Sequence, residues 1–352
     1  MLYPLIFEPV LKERIWGGTT LHAKYGRELP SDKVGESWDV ACHKNGMSKI
    51  SNGELKGKTL KEVIDEYGKD LLGKDLQDKH IKKFPLLIKI LDATDVLSVQ
   101  VHPDDEYAKV HEDGELGKTE MWYIIDAKPG AKLVYGVKED TTKEQFEKAI
   151  KAGKLEEYLN TIDVAPGDVV YIPAGMVHAI GAGILICEVQ QNSDTTYRVY
   201  DWNRVDDTGK ARELHIKQAL DVIDFEGKHS TEKVMGLSRQ KGESQVTYYV
   251  ANKYFAMEKL DVIHELEQQV NGERFFILTV VEGEGKIVYF GGTQEFKAGQ
   301  SIMIPACMKD YTIEGNCTII KSYIPDIEND IVKPLIQIGF DRKDLSKRIA
   351  GL

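Results

Sequence analysis

Along most of this chain apolar residues recur at every second position or in short unbroken runs bounded by Gly, Pro and Asn. That is the pattern of β-strands with one or both faces buried. Segments 84–93, 119–127 and 169–172 read as strands, as do pieces within 184–204, 247–260, 274–292, 300–306 and 317–325. Helical spacing interrupts this in three places. Thr59 opens a T-x-x-E capping box with Glu62, followed by Leu60, Val63, Ile64, Tyr67 and Leu71, with Gly73 placed to close the helix. Thr142 and Gln145 form a second box ahead of Phe146, Ala149 and Ile150, and Gly153 divides that segment in two. Residues 212–225 carry the third. The pattern predicts a mainly β protein with a few accessory helices.

The stretch GDVVYIPAGMVHAIGAG, residues 167–183, is a strand, a tight turn and a second strand that starts with a histidine. Pro173 fixes φ, Gly175 takes the positive φ of the turn, and His178 is then held by backbone pairing, a rigid mount for a ligand. The spacing G-x5-P-x-G-x2-H looks like the second motif of the cupin barrel. A weak echo follows downstream: 280–292 repeats 124–137, and AGQSIMIPACMKDYTI at 298–313 repeats the turn with Met308-Lys309-Asp310 in place of the Gly-to-His part. The expected architecture is therefore two cupin (jelly-roll) β-barrels. Residues 1–226 form the metal-binding domain with helical insertions, 227–245 a polar linker, and 246–326 a second, metal-free barrel. Residues 327–352 form an extension with a strand and a short helix.

Composition narrows the partners. With 352 residues and a net charge of −11 the chain has room for sizeable cores and no basic face for nucleic acid. No apolar run approaches membrane length, and Pro4 and Glu8 interrupt the N-terminal segment where a secretion signal needs an apolar core, so a cytoplasmic location is expected. The four cysteines, Cys42, Cys187, Cys307 and Cys317, show no paired spacing and read as buried thiols. Nothing in the pattern marks an interface, so a monomer or a homodimer is expected.

In LSVQVHPDD, alternation puts Ser98, Gln100 and His102 on one face and Leu97, Val99 and Val101 on the other. Polar residues facing the inside of a barrel call for a metal. Glu120 follows as an oxygen ligand, with Lys118 on the same face. Two imidazoles, a carboxylate and the Gln100 amide suit Zn, and also Fe, Mn or Ni. Of the nine histidines, His22, His80, His111, His215, His229 and His264 are expected at the surface. Lys89, Lys118 and Arg198 are inward cations, which implies an anionic substrate; the Arg198 fork suits a phosphate or a developing oxyanion. Trp16, before Gly17-Gly18, reads equally as a packing residue or a ligand contact. Glu36 alone reads as a surface carboxylate. No nucleotide-phosphate loop and no serine elbow is present. A cupin iron dioxygenase would leave the cations without a purpose, and a non-catalytic sugar-phosphate sensor or a relative recruited to another phosphosugar would be expected to lose Arg198 or the proton-transfer base.

QVHPDD at 100–105, GKTEMWYI at 117–124, PAGMVHAIGAG at 173–183 and EVQQNSDTTYRVYDW at 188–202 together resemble the type I mannose-6-phosphate isomerases in their short bacterial form. The resemblance runs from IWGG at 15–18 to about residue 325. It implies a zinc enzyme, one ion per chain, that interconverts D-mannose 6-phosphate and D-fructose 6-phosphate through a cis-enediol. By resemblance the metal positions are Gln100, His102, Glu120 and His178, the essential arginine is Arg198, and the substrate pocket takes Trp16, Glu36, Lys89, Ser98, Lys118 and Glu188. Lys118, neutral beside a divalent cation, and Glu188 are both candidates for the base. Two departures stand out: Thr119 replaces the proline of a K-P-E version, and the C-terminal tail is longer.

Overall fold

The structure is a computed structural model describing residues 2–76, 83–205, 208–227 and 229–352; His80 lies outside the described residues. It is mainly β, as the alternation requires. The chain divides into two compact units: residues 1–10, 38–89 and 234–352 form one, and 11–37 and 90–233 the other. These units do not follow the expected boundaries, since two early segments join the C-terminal unit. Backbone pairing explains the first: Leu5 lies opposite Met303 and Ile6 opposite Ile302, while Phe7 pairs with Ile50.

The unit containing the C-terminus is built on a nine-stranded sheet. Its long strands Ala256–Gln268, Phe276–Tyr289 and Tyr311–Tyr323 pair antiparallel along nearly their whole length. Leu260, Leu278, Ile302, Ile313 and Ile319 are fully buried on one face of it. Residues 227–245, expected as a linker, instead contain the strand Leu237–Lys241, hairpinned onto Ser244–Ala251 through Gly242 at φ 63°. Short polar-rich edge strands carry too little alternation to be read locally. The tail also differs: no strand opens it. A π-helix Ile327–Val332, a helix Lys333–Gln337 and a helix Arg342–Arg348 follow one another, and Ile331, Val332, Leu335, Leu345 and Ile349 are buried against the sheet.

The second unit stacks two sheets. The first runs Leu159–Asp163, Lys132–Val137, His178–Ile180, Val99–Val101, Tyr197–Tyr200. The second places Glu120–Ala127 between Val169–Ile172 and Ile184–Gln191 and continues through the parts of Leu86–Ala93, Val34–Val40 and Val10–Gly18 that belong to this unit, from Ile90, up to Ser37 and from Leu11. One core draws on both, with Leu133, Tyr135 and Ile180 from the first and Trp122, Ile124, Ile172 and Ile186 from the second. On the outer side of the first sheet Val99 and Val101 pack with Phe146, Ala219 and Leu220 of the helices. Both predicted capping boxes form. The first helix ends earlier than expected, at Gly68, and Gly73 closes a separate turn, Lys69–Leu72. Gly153 caps Lys143–Ala152 in the left-handed region, and the third helix is confined to Ile216–Val222. Cys187 and Cys317 are buried and Cys42 is half-buried, but Cys307 is exposed, against expectation.

Candidate metal centre

The strand Val99–Val101 sets the inner face. Gln100 lies directly opposite His178 on one side and Arg198 on the other. Opposed residues of antiparallel strands share a face, so the three side chains line one row. The turn before His178 is as predicted: Gly175 at φ 88° donates its N–H to the His102 carbonyl at 2.9 Å, which ties the two ligand segments together. Each imidazole is oriented by a carbonyl. His178 Nδ1 is 2.8 Å from Met176 O and His102 Nδ1 is 2.9 Å from Thr195 O. With Nδ1–H donated outward, each Nε2 lone pair points inward, the arrangement that second-sphere carbonyls impose on metal-binding histidines.

Glu120 opens its strand opposite Ile172 and Gln190. Its carboxylate is fully buried, with Oε1 3.2 Å from His178 Nε2 and Oε2 3.7 Å from His102 Nε2. The three ligand atoms lie within 4.8 Å of one another. Lys118 Nζ stands 3.0 Å from Glu120 Oε2 and 3.1 Å from His102 Nε2. The Gln100 amide is 3.3 Å from His178 Nε2. The Lys118 ammonium and the two imidazoles crowd the Glu120 carboxylate, but neither of its oxygens accepts a hydrogen bond of good geometry. Two inward lone pairs and a buried carboxylate without a proton between them fit a divalent cation of the zinc type.

Charge follows from this geometry. Burial first, and the Lys118 ammonium second, push the His102 imidazole down to about 3 from its ordinary 6.5. Burial alone would raise Glu120, but the Lys118 ammonium first, and the adjacent His102 and His178 after it, outweigh it and hold that carboxyl well below its usual range. In the metal-free protein both effects have the same sign. The unfolded chain takes up the His102 proton near pH 6.5, while the folded chain resists until about 3, so stability falls as pH drops through that window. The Glu120 contribution is present above 4.5 and is lost below it. Thermal melts of metal-free protein from pH 7 to 4 are expected to show stability declining below about 6.5 by at most ~1.4 kcal/mol per pH unit through His102, with Glu120 adding to the slope below 4.5. A flat profile would contradict the arrangement.

The remaining predicted residues fall around this cluster or elsewhere. Arg198 is half-buried, with Nη1 donating to Glu213 O at 2.8 Å. Its backbone N–H meets His215 Nδ1 at 3.1 Å, so His215 is half-buried and structural rather than a surface residue. Glu188 is buried and accepts from Trp122 Nε1 at 2.9 Å. Ser98 is buried. Trp16 is 4 % exposed and packs in the core with Trp122 and Leu133. Glu36 is paired with Arg14 Nε at 2.7 Å. Lys89 does not snorkel outward; it is buried, its ammonium 5.1 Å from the Trp38 ring centroid. Trp122, whose ring meets the His178 ring edge-on at 5.4 Å, was not singled out in the sequence. Its place two residues past Glu120, hence on the same face, is the signal that could have found it.

The C-terminal unit shows what became of the repeated motif. Gln268 lies opposite Tyr311 as Gln100 lies opposite His178, and Phe276 lies opposite Ile304 as Glu120 lies opposite Ile172. By the same registers Lys321, opposite Leu278, holds the position of Glu188. The Lys321 ammonium is 3.1 Å from Gln268 Oε1, 3.5 Å from Glu258 Oε2 and 4.5 Å from the Phe276 ring centroid. A lysine cation thus stands among the positions that correspond to the ligands of the other unit, with a phenol and a phenyl ring in place of imidazole and carboxylate.

Comparison with known proteins gives a consistent result. The family model for the catalytic domain of type I phosphomannose isomerase matches residues 5–148, and that for the cupin domain of mannose-6-phosphate isomerase matches residues 245–324. The mannose-6-phosphate isomerase ManA of Bacillus subtilis is 45% identical over 323 residues, covering 91% of this chain and 99% of that protein. The probable mannose-6-phosphate isomerase GmuF of the same organism is 43% identical, covering 92% and 100%. A crystal structure of the mannose 6-phosphate isomerase from Bacillus subtilis superposes with a TM-score of 0.85 at 40% identity, covering 91% of this chain and 99% of that one.

Proposed function

From the membership of this chain in the type I phosphomannose isomerases, we propose that it interconverts D-mannose 6-phosphate and D-fructose 6-phosphate with one zinc ion per chain. The observation that carries the reading is the buried His102–Glu120–His178 group with Lys118 between two of its ligand atoms. These three residues, with the Gln100 amide beside them, would hold a zinc ion, which would supply Lewis-acid polarisation of the substrate carbonyl.

This chain's own residues do the rest. Once the sugar ring is open, a base removes the proton from C2 while O1 gains one, giving the cis-enediol; O2 then loses its proton as one returns at C1. Lys118 and Glu188 are the two candidates. Lys118 is favoured because its Nζ stands within hydrogen-bond reach of two ligand atoms, whereas Glu188 already accepts from the Trp122 indole. A positioned base of this kind accelerates proton transfer by ~10²–10⁴-fold. Arg198, in the row with Gln100 and His178, donates to the oxygen where negative charge develops or to the phosphate. Trp16, Glu36, Lys89 and Ser98 are proposed as substrate contacts by resemblance. Among the described residues no helix is long and apolar enough to cross a membrane. A cytoplasmic monomer or homodimer acting on a small phosphosugar, with no nucleic-acid or membrane partner, completes the proposal.

The test is isomerisation of mannose 6-phosphate, coupled to glucose 6-phosphate formation, before and after chelation and zinc add-back. Activity is expected to vanish with the chelator and return with zinc. Turnover that survives complete metal removal would sink the metal-dependent reading, and a folded, zinc-loaded protein without turnover would sink the substrate.

A further inference from the structure

Lys118 is buried, yet it lies in an irregular segment just ahead of the strand Glu120–Ala127. Its neighbours along the chain are held by one pair of side chains. Asp105 Oδ1 accepts from the Gly117 N–H at 2.8 Å and from Gln191 Nε2 at 2.9 Å. Gln191 Oε1 in turn accepts from the Thr119 N–H at 2.9 Å, and the Gln191 N–H donates to the Thr119 carbonyl at 3.1 Å. The N–H of Lys118 itself donates to Pro103 O at 3.0 Å. Three consecutive backbone donors are thereby fixed, two of them by side chains that also bond each other.

Gly117 makes the approach possible. A Cβ there would lie 2.5 Å from both Asp104 C and Asp105 N, so any other residue would push the segment off its anchor. Asp105 and Gln191 are themselves set in regular structure. Asp105 begins the helix Asp105–His111, capped by Asp104, and Gln191 ends the strand Ile184–Gln191. Gln191 and Thr119 are each 3 % exposed, so these bonds are shielded from water.

We propose that Asp105 and Gln191 are positioning residues, which fix the backbone of 117–119 so that Lys118 Nζ is held beside the His102–Glu120–His178 group. The inference rests on the proposed role of Lys118 in proton transfer. Reacting groups must be held to within ~0.5 Å, and a displacement of ~1 Å can cost ~10²-fold in rate. The Gln191 contact also requires a backbone donor at 119. Proline has none, so the threonine of this chain's K-T-E version is what allows the Gln191 Oε1 contact, one of the three that Gln191 makes with Asp105 and Thr119.

Asp105→Ala and Gln191→Leu are each expected to lower kcat by roughly 10–100-fold, the range for residues that orient a site from behind, with KM and zinc content unchanged. Asp105→Asn, which keeps an acceptor oxygen, is expected to recover most of that loss. Thr119→Pro, which removes one contact only, should fall between wild type and Gln191→Leu. In a Lys118→Met background the same substitutions should cost nothing further. An undiminished loss in that background, or a loss carried by KM or by departure of zinc, would overturn the positioning role. Wild-type kcat in Lys118→Met alone would instead refute the catalytic reading of Lys118. The positioning itself is then read from a crystal structure of Gln191→Leu: a displaced ammonium is expected, and an unmoved one overturns the proposal.

Discussion

Replacing Lys118 by methionine is expected to lower kcat by ~10²–10⁴-fold and to abolish exchange of the C2 proton with solvent, while zinc stays bound. The substitution removes no metal ligand, since His102, Glu120 and His178 all remain. It does remove the cation 3.0 Å from the buried Glu120 carboxylate. Without zinc that carboxylate is left without its lysine partner, and breaking a buried pair typically costs ~3–5 kcal/mol. With zinc the ion takes over the compensating charge. The variant should therefore melt well below wild type when metal-free and close to it when zinc-loaded. Rate and stability then report separate things: exchange follows the base, and the zinc-dependent melting difference follows the electrostatics. Normal C2 exchange in a folded, zinc-loaded Lys118→Met would transfer the role of base to Glu188.

Lys321→Met is expected to destabilise the C-terminal unit by ~3–5 kcal/mol. Lys321 and Glu258 lie opposite each other on adjacent strands and are both nearly buried. Removing the ammonium leaves Glu258 with the Tyr323 hydroxyl at 2.5 Å but without a cation, and leaves Gln268 Oε1 without its donor. The stacking of the ammonium over the Phe276 ring is lost as well. Adding Glu258→Gln should recover a large part of the loss, because the uncompensated charge, rather than the missing contact, dominates the penalty. Denaturant titration of the two variants measures this directly. A change under ~1 kcal/mol for Lys321→Met would mean that the pair behaves like an exposed one.

Much of the metal centre is visible in the sequence because its signals are local. His178 sits on a turn whose Pro173 and Gly175 declare themselves, and Gln100 and His102 are separated from Val99 and Val101 by simple alternation. The two capping boxes are equally local, and both form. The contacts that were missed join residues far apart in the chain. Asp105 and Gln191, which bond each other and the segment carrying Lys118, are 86 positions apart. Glu188 and Trp122 are 66 apart. Trp122 carries a local sign, its alternation with Glu120, whereas nothing near His215 indicates that it meets the backbone of Arg198.

The compact units draw on early segments of the chain for the same reason. Residues 1–10 look like the start of the first domain, yet Leu5 and Ile6 pair with Met303 and Ile302. Residues 237–241 look like linker because an edge strand needs only one partner and little apolar alternation. By itself, then, the sequence determined the side chains available at the candidate metal centre, the strand periodicity and the turn that mounts His178, since these depend on neighbours within a few residues. Tertiary structure alone decided that Gln100, His178 and Arg198 share one row, that Lys118 reaches Glu120, and that a lysine stands at the corresponding place in the other unit. Cross-strand register and burial are collective properties of the assembled sheets, and no single stretch of chain encodes them.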